Sequence, residues 1–243
     1  MGKTSRYDTS SLIEDQQEPG SHGRVLKNLL GIKTKREMGK IESRELLRTM
    51  EWMAEKYDGE HRFSADDICS MHRVWLGNIY EWAGRYRNVT MSKGGFLFAS
   101  PAFIPRLMAD FEREILHRYT PCHADSRNEL VEALAVVHTE LLLIHPFREG
   151  NGRIARQLAV FMALQAGMSS LDLAIIKGKC KEAYFTAVRA GLERDYEPMK
   201  RVFNEAILRT PRVDKAGHRR SPPGKPIQDQ PPSRESPRSP KRK

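Results

Sequence analysis

Apolar residues recur at helical spacing along most of the chain between residues 41 and 208, and this confines it to a mostly α-helical body. Leu46, Leu47, Met50, Met53, Ala54 and Tyr57 predict a helix over 41–57, which Asp58-Gly59 ends. Ser64 stands as the N-cap of a second helix whose face is Ile68, Met71, Trp75 and Ile79. Ile104, Leu107, Met108, Phe111 and Ile115 mark a third over 103–118. The fourth starts at Asp125 or Ser126 and runs through Leu130, Leu134, Val137, Leu141 and Ile144. It stops at His145, because a residue before proline is pushed out of the helical region. Ile154, Ala155, Leu158, Phe161 and Met162 give a fifth over 151–166, with Gly167 as its stop. Weaker patterns cover 180–192 and 196–208. The expected fold class is therefore all-α, a compact helical bundle.

One segment breaks the pattern. Thr90 to Ala99 places Gly94-Gly95 between short runs containing Val89, Phe96 and Phe98, which predicts a β-hairpin on the helical body. No internal repeat is visible.

Charge divides the chain. Its 243 residues carry a formal net charge of +10. From Arg212 to Lys243, ten Lys/Arg stand against Asp214, Asp229 and Glu235, a local +7, together with seven of the fourteen prolines. Few apolar residues are available there to offset ordering entropy, so 212–243 reads as a disordered basic tail able to touch polyanions without specificity. The other 211 residues carry only +3. The tail makes a basic nucleic-acid-binding protein an alternative reading. No apolar run approaches the roughly 18 residues that spanning a membrane needs. Met1 to Arg6 lacks the apolar stretch expected of a secretory signal, and Arg6 occupies the position where a myristoylation signal has Ser or Thr. Cys69, Cys122 and Cys180 are odd in number and lack CxxC spacing, which fits a reducing compartment. A cytoplasmic location is the expectation, with a secreted effector left open.

The chemistry concentrates between the fourth and fifth helices, in His145-Pro146-Phe147-Arg148-Glu149-Gly150-Asn151-Gly152-Arg153-Ile154-Ala155-Arg156. Two glycines flank an Asn where a helix begins, so backbone N–H groups can approach an anion that the helix dipole also favours. Arg153 and Arg156, three apart, share one face near that terminus and suit phosphate oxygens. Glu149 offers the hard oxygen that holds Mg²⁺ beside a polyphosphate. His145 is a candidate proton acceptor. A metal module using His138, His145 and Cys122 or His123 is a weaker alternative: His138 lies among Val136, Val137 and Leu141 and reads as a core histidine, and no compact four-ligand set appears.

The string HPFREGNGRIAR resembles the Fic signature HPFx(D/E)GNGRxxR at every specified position. Similarity extends over most of 24–205, including Val25 to Ile32, His72 to Leu76, Ile79 to Arg87 and the Ser92-Lys93-Gly94-Gly95-Phe96 flap. The resemblance implies a Fic fold with its hairpin flap over the active-site loop, a domain over 24–211, and a separate N-terminal segment over 1–23. It implies adenylylation: AMP passes from ATP to a Ser, Thr or Tyr hydroxyl of a target protein, and pyrophosphate leaves. His145 would be the base and Glu149 the Mg²⁺ ligand. Gly150, Asn151 and Gly152 would form the anion-binding turn, and Arg153 and Arg156 would grip the β- and γ-phosphates. Lys93, Gly94, Gly95 and Phe96 would line the nucleotide pocket, with the 90–99 flap docking the target as an added strand. Gly152 stands where the related Doc-type toxins carry Lys, which favours AMP transfer over phosphate transfer. The alternatives within the fold are transfer of UMP or phosphate, and removal of AMP.

Many Fic proteins also resemble one another in an inhibitory motif, (S/T)xxxE(G/N), whose Glu occupies the last Arg of the signature. Ser10-Ser11-Leu12-Ile13-Glu14-Asp15 fits it except at Asp15. Ser10 and Glu14 are thus expected as an internal brake on Arg156, and an antitoxin partner is the alternative if Glu14 does not serve.

Overall fold

In the computed structural model, residues 12–176, 181–210, 212–213 and 219–220 are described. Ser10 lies outside them, as does most of the tail expected to be disordered.

A single turn of 3-10 helix at Ile13–Asp15 precedes the first long helix, α1, Lys35–Lys56. Its start lies ahead of the expected residue 41 because the Thr34 hydroxyl caps it by accepting from the N–H of Glu37. The first turns, Lys35-Arg36-Glu37, are charged and leave no apolar stripe to read. Ser64 caps α2, Ala65–Leu76, in a reciprocal capping box with Asp67. This helix ends before Ile79, which is fully buried in the turn that follows.

The flap pairs β1, Ser92–Lys93, with β2, Phe96–Leu97, in the register Lys93 opposite Phe96. Gly94 and Gly95 both have positive φ, at 55° and 75°. A two-residue hairpin turn of this hand requires that, so the glycine pair is what makes so short a hairpin possible.

The expected helix over 103–118 is interrupted. It comprises α3, Ile104–Phe111, a π-helical turn at Glu112–Leu116 and a last turn, α4, His117–Tyr119. Side-chain spacing alone does not report such a bulge. Ser126 caps α5, Arg127–Ile144. This helix is buried on most of its circumference and packs against α3, α6, Asn151–Gln165, α7, Lys181–Ala190, and α8, Glu197–Arg209. A helix apolar nearly all round belongs at the centre of a bundle, and the C-terminus of α5 delivers His145 from that centre.

The unit holding these elements ends at Thr210. Within 211–243, β3, Arg212–Val213, pairs antiparallel with β4, Arg219–Arg220. Among the described residues no helix is long and apolar enough to cross a membrane.

Candidate active site

His145 closes α5 in the left-handed conformation, with φ 52° and ψ 58°. Pro146 excludes the right-handed helical geometry. The alternative is fixed by Arg87, a buried side chain from the segment between α2 and the flap. Its Nε–H donates to the His145 carbonyl at 2.8 Å, and its own backbone N–H donates to the Pro146 carbonyl at 2.9 Å. Its two terminal nitrogens donate to Val89 O and Ala99 O, one at each end of the flap segment. One guanidinium therefore ties the flap to the loop that carries His145.

The His145 ring stacks on Phe98 at 3.8 Å between centroids. Its Nδ1 lies 3.3 Å from the Leu142 carbonyl, which can only accept, so Nδ1 carries the proton and Nε2 is left as an acceptor. Burial pushes the imidazole down to about 4, with the positive charges of Arg87 and Lys93 adding to the effect. The ring is neutral at physiological pH, as a base must be.

Loop 146–150 is held by its own side chains and by α2. Asn151 accepts the Phe147 N–H at 2.9 Å and donates to the Phe147 carbonyl at 2.7 Å. Its side chain is thus a staple, and its share of the expected anion-binding turn is the backbone N–H. Phe147 is fully buried and stacks on His72 at 3.9 Å. His72 accepts the Gly84 N–H at Nδ1, and its Nε2 donates to the Glu149 carbonyl at 3.0 Å. Gly150 has φ 85°, and a Cβ there would lie 2.5 Å from Trp75 Cζ3. Only glycine fits. Among the described residues, the N–H groups of Asn151 and Gly152 at the start of α6 have no acceptor, which leaves them to an incoming anion.

The two arginines are held differently. Arg153, expected to grip phosphate, is engaged by carboxylates: Nη1 donates to Glu42 Oε2 at 2.7 Å and Nη2 to Glu149 Oε1 at 3.4 Å. Its guanidinium also lies 4.4 Å from the Trp75 ring, while Tyr80 and Trp75 hold Glu42 through a hydroxyl and an indole N–H. Arg156 has no carboxylate partner among the described residues, and burial pushes its guanidinium below the ordinary value.

A cavity of about 770 Å³ is lined by His145, Glu149, Gly150, Asn151, Gly152, Arg153 and Arg156, and by Lys93, Gly94 and Phe96 of the flap. Ile176, Tyr184, Phe185 and Val188 form an apolar wall. Gly95, at the flap tip, is not part of the lining. Lys93 Nζ lies 4.5 Å from the Phe185 ring centroid, and Arg189 donates to the Gly94 carbonyl at 3.0 Å, so α7 holds the flap over the opening.

Glu14 is placed elsewhere than expected. It is buried, and its Oε1 accepts the Asn88 N–H at 2.6 Å, where its charge supports Arg87. The pairing of Glu14 with Arg156 is thus corrected: this carboxylate is committed to the Arg87 side of the loop. Asp15 forms an ion pair with Arg148 at 3.5 Å, so the Ile13–Asp15 turn touches both the loop and the Arg87–Asn88 segment that holds it.

Glu149 has the donor chemistry for a divalent cation carried by a polyphosphate. One oxygen accepts the Gly150 N–H, the other has no partner among the described residues, and the side chain is half-exposed at the cavity. No group of three or more potential metal ligands exists among the described residues, and His138 is consumed by core hydrogen bonds at both ring nitrogens. Sequence reasoning missed Arg87, Glu42 and Tyr184 as site residues. Their partners lie 58, 111 and 46 positions away for the contacts Arg87–His145, Arg153–Glu42 and Tyr184–His138, beyond any local pattern.

A helical bundle presenting a histidine, a glycine-flanked helix N-terminus and two arginines beneath a β-hairpin has the donors that gripping a phosphate requires. The family model described as Fic/DOC family matches residues 62–163. A relative from Salmonella typhimurium, named "Probable protein adenylyltransferase Fic", is 31% identical over 144 residues, covering 58% of this chain and 68% of that protein. The chain belongs to the Fic/DOC family. Protein adenylyltransferase VbhT of Bartonella schoenbuchensis is also 31% identical over 144 residues, covering 59% of this chain; the match spans 30% of VbhT. The fold is similar to that of the N-terminal Fic domain of a VirB-translocated Bep effector protein from Bartonella quintana, solved with bound ADP. The TM-score is 0.60 at 26% identity, covering 74% of this chain and 89% of that one.

Proposed function

We propose that this chain is a protein adenylyltransferase that moves AMP from ATP to a hydroxyl of a target protein. The observation that carries the reading is the convergence, in one cavity, of a neutral histidine whose Nε2 is an acceptor with two N–H groups at the start of α6 and an Arg156 that, among the described residues, have no acceptor and no counter-carboxylate. The names and bound nucleotide of the relatives support it.

In the proposed reaction the target oxygen attacks the α-phosphorus, its proton passes to His145 Nε2, and the bond to pyrophosphate breaks. The N–H groups of Asn151 and Gly152 and the guanidinium of Arg156 hold the phosphates where charge grows. Glu149 would hold Mg²⁺ arriving with ATP, and the cation would offset phosphate charge. Arg153, tied to Glu42 and Glu149, orients the Glu149 carboxylate and adds positive potential. The 90–99 flap docks the target segment. An antitoxin carboxylate from a second chain has Arg156 as its natural partner, since Glu14 is engaged at Asn88.

Mass spectrometry of lysate incubated with the enzyme and ATP tests this. The expected result is AMP added to Ser, Thr or Tyr of discrete proteins. UMP or phosphate adducts, with UTP, GTP and CTP compared as donors, would redirect the reading to another transferred group. No adduct of any kind would reject it.

A further inference from the structure

Glu42 of α1 does not line the nucleotide cavity. It lines a smaller cleft of about 250 Å³ beside it, and Glu149 and Arg153 border both spaces. The Glu42 carboxylate is buried and engaged at both oxygens: Oε1 accepts the Tyr80 hydroxyl at 3.0 Å and Oε2 accepts Arg153 Nη1 at 2.7 Å. Tyr80 is itself stacked on Trp82 at 4.5 Å between centroids, and the Glu42 carbonyl accepts Trp75 Nε1–H at 2.8 Å. Glu42 is held in place from three sides.

Arg153 is shared unequally between two carboxylates. Its bond to Glu42 has the length of a charge-assisted pair, whereas its Nη2 stands 3.4 Å from Glu149 Oε1. Burial accounts for the difference. A buried carboxylate stripped of its cation is costly, while the Glu149 side chain, 47% exposed, has water to turn to. The Trp75 ring, 4.4 Å from the guanidinium and tied to Glu42 through its indole N–H, adds a cation–π attraction on the same side. Glu149 is thus oriented without being neutralised: the Gly150 N–H fixes Oε1 at 3.0 Å, and Oε2 has no partner among the described residues. A guanidinium and a divalent cation compete for one carboxylate. With the charge of Glu42 removed, Arg153 would be drawn onto Glu149.

We infer that Glu42 is a positioning residue that retains Arg153, keeps the Glu149 carboxylate available to Mg²⁺, and so sets how strongly the cation supports nucleotide binding. The inference rests on the adenylyl-transfer reading, in which Glu149 is the cation ligand.

Calorimetric titration of the full chain with α,β-methylene-ATP, once with Mg²⁺ and once with EDTA, gives the contribution of the cation as the ratio of two dissociation constants. The wild type should bind more tightly with Mg²⁺. Glu42→Gln keeps the shape and a partner for Tyr80; it should cut that ratio by about tenfold while affinity in EDTA stays level or rises, because only a negative charge is lost. Glu42→Asp, which keeps the charge one methylene further back, should fall between the two. Adding Arg153→Gln to Glu42→Gln should restore most of the ratio, since no guanidinium is left to occupy Glu149. A wild-type ratio in either Glu42 variant, or a loss of affinity equal with and without Mg²⁺, overturns the positioning role and leaves adenylyl transfer standing. A wild-type chain that binds the nucleotide under neither condition overturns both.

Discussion

The Nε–H of Arg87 donates to the carbonyl oxygen of His145 at 2.8 Å, and this bond fixes the left-handed backbone from which the imidazole reaches the cavity. The same guanidinium reaches Val89 O and Ala99 O, so flap and base are set by one buried side chain. Arg87→Lys retains a charge but loses the fork that serves three carbonyls. Stranding two buried acceptors costs about 1–3 kcal/mol each. The expected outcome is a thermal midpoint lower by several degrees and adenylyl transfer reduced by about tenfold or more, read by calorimetry and by target labelling.

Glu14 caps this arrangement through Asn88 and Arg87. Glu14→Ala leaves the Asn88 N–H without its acceptor and Arg87 without its nearest compensating carboxylate, a loss of about 2 kcal/mol. Autoadenylylation of the purified variant should stay level or fall. An increase would restore Glu14 as a brake on the active site.

Acid should weaken the fold through its buried imidazoles. Burial lowers His72 and His145 to about 4 and His138 to about 3. The unfolded chain binds protons at these sites near pH 6.5, whereas the folded chain resists until lower pH. Below about pH 6.5 the unfolded state therefore holds more protons, and stability falls as pH drops towards 4. Denaturant titrations should give a plateau above pH 7 and a steep decline beneath it. His145→Ala should flatten that decline by about one proton, or roughly 1.4 kcal/mol per pH unit, between pH 6.5 and 4.

The two glycines of the loop should respond differently. At Gly150 an added methyl meets Trp75 at 2.5 Å with φ at 85°, so Gly150→Ala should distort the loop and lower stability by about 3 kcal/mol. At Gly152 the nearest atom is Arg156 Nη1 at 3.4 Å, the end of a flexible side chain. Gly152→Ala should melt within a few degrees of the wild type and lose nucleotide affinity instead, as seen by calorimetric titration.

The twelve-residue string from His145 to Arg156 was readable as a site because its chemistry is local: one loop, one helix start and spacings set by helical geometry. The caps at Ser64 and Ser126 and the Gly94-Gly95 turn were legible for the same reason. What escaped are relations between distant segments. Nothing near Glu42 announces that it will meet Arg153, and His138, read as a core residue, is a core residue whose hydrogen bonds end at the Ala155 carbonyl and the Tyr184 hydroxyl. The placement of Glu14 shows the opposite failure, since a short motif named the residue and tertiary packing sent its carboxylate to Asn88. The early start of α1 and the π-helical turn after α3 lie where charged residues or an inserted residue leave apolar spacing uninformative.

The central claim is that His145 accepts the target proton while the α6 terminus and Arg156 hold a nucleotide whose α-phosphate moves. It is tested most directly by comparing ATP labelled at the α-phosphorus with ATP labelled at the γ-phosphorus, using the wild type and a His145→Ala variant of matching far-ultraviolet circular dichroism. Label should enter protein from the α position alone, and the variant should lose it almost entirely. Label from the γ position, or α label undiminished in His145→Ala, would contradict the account.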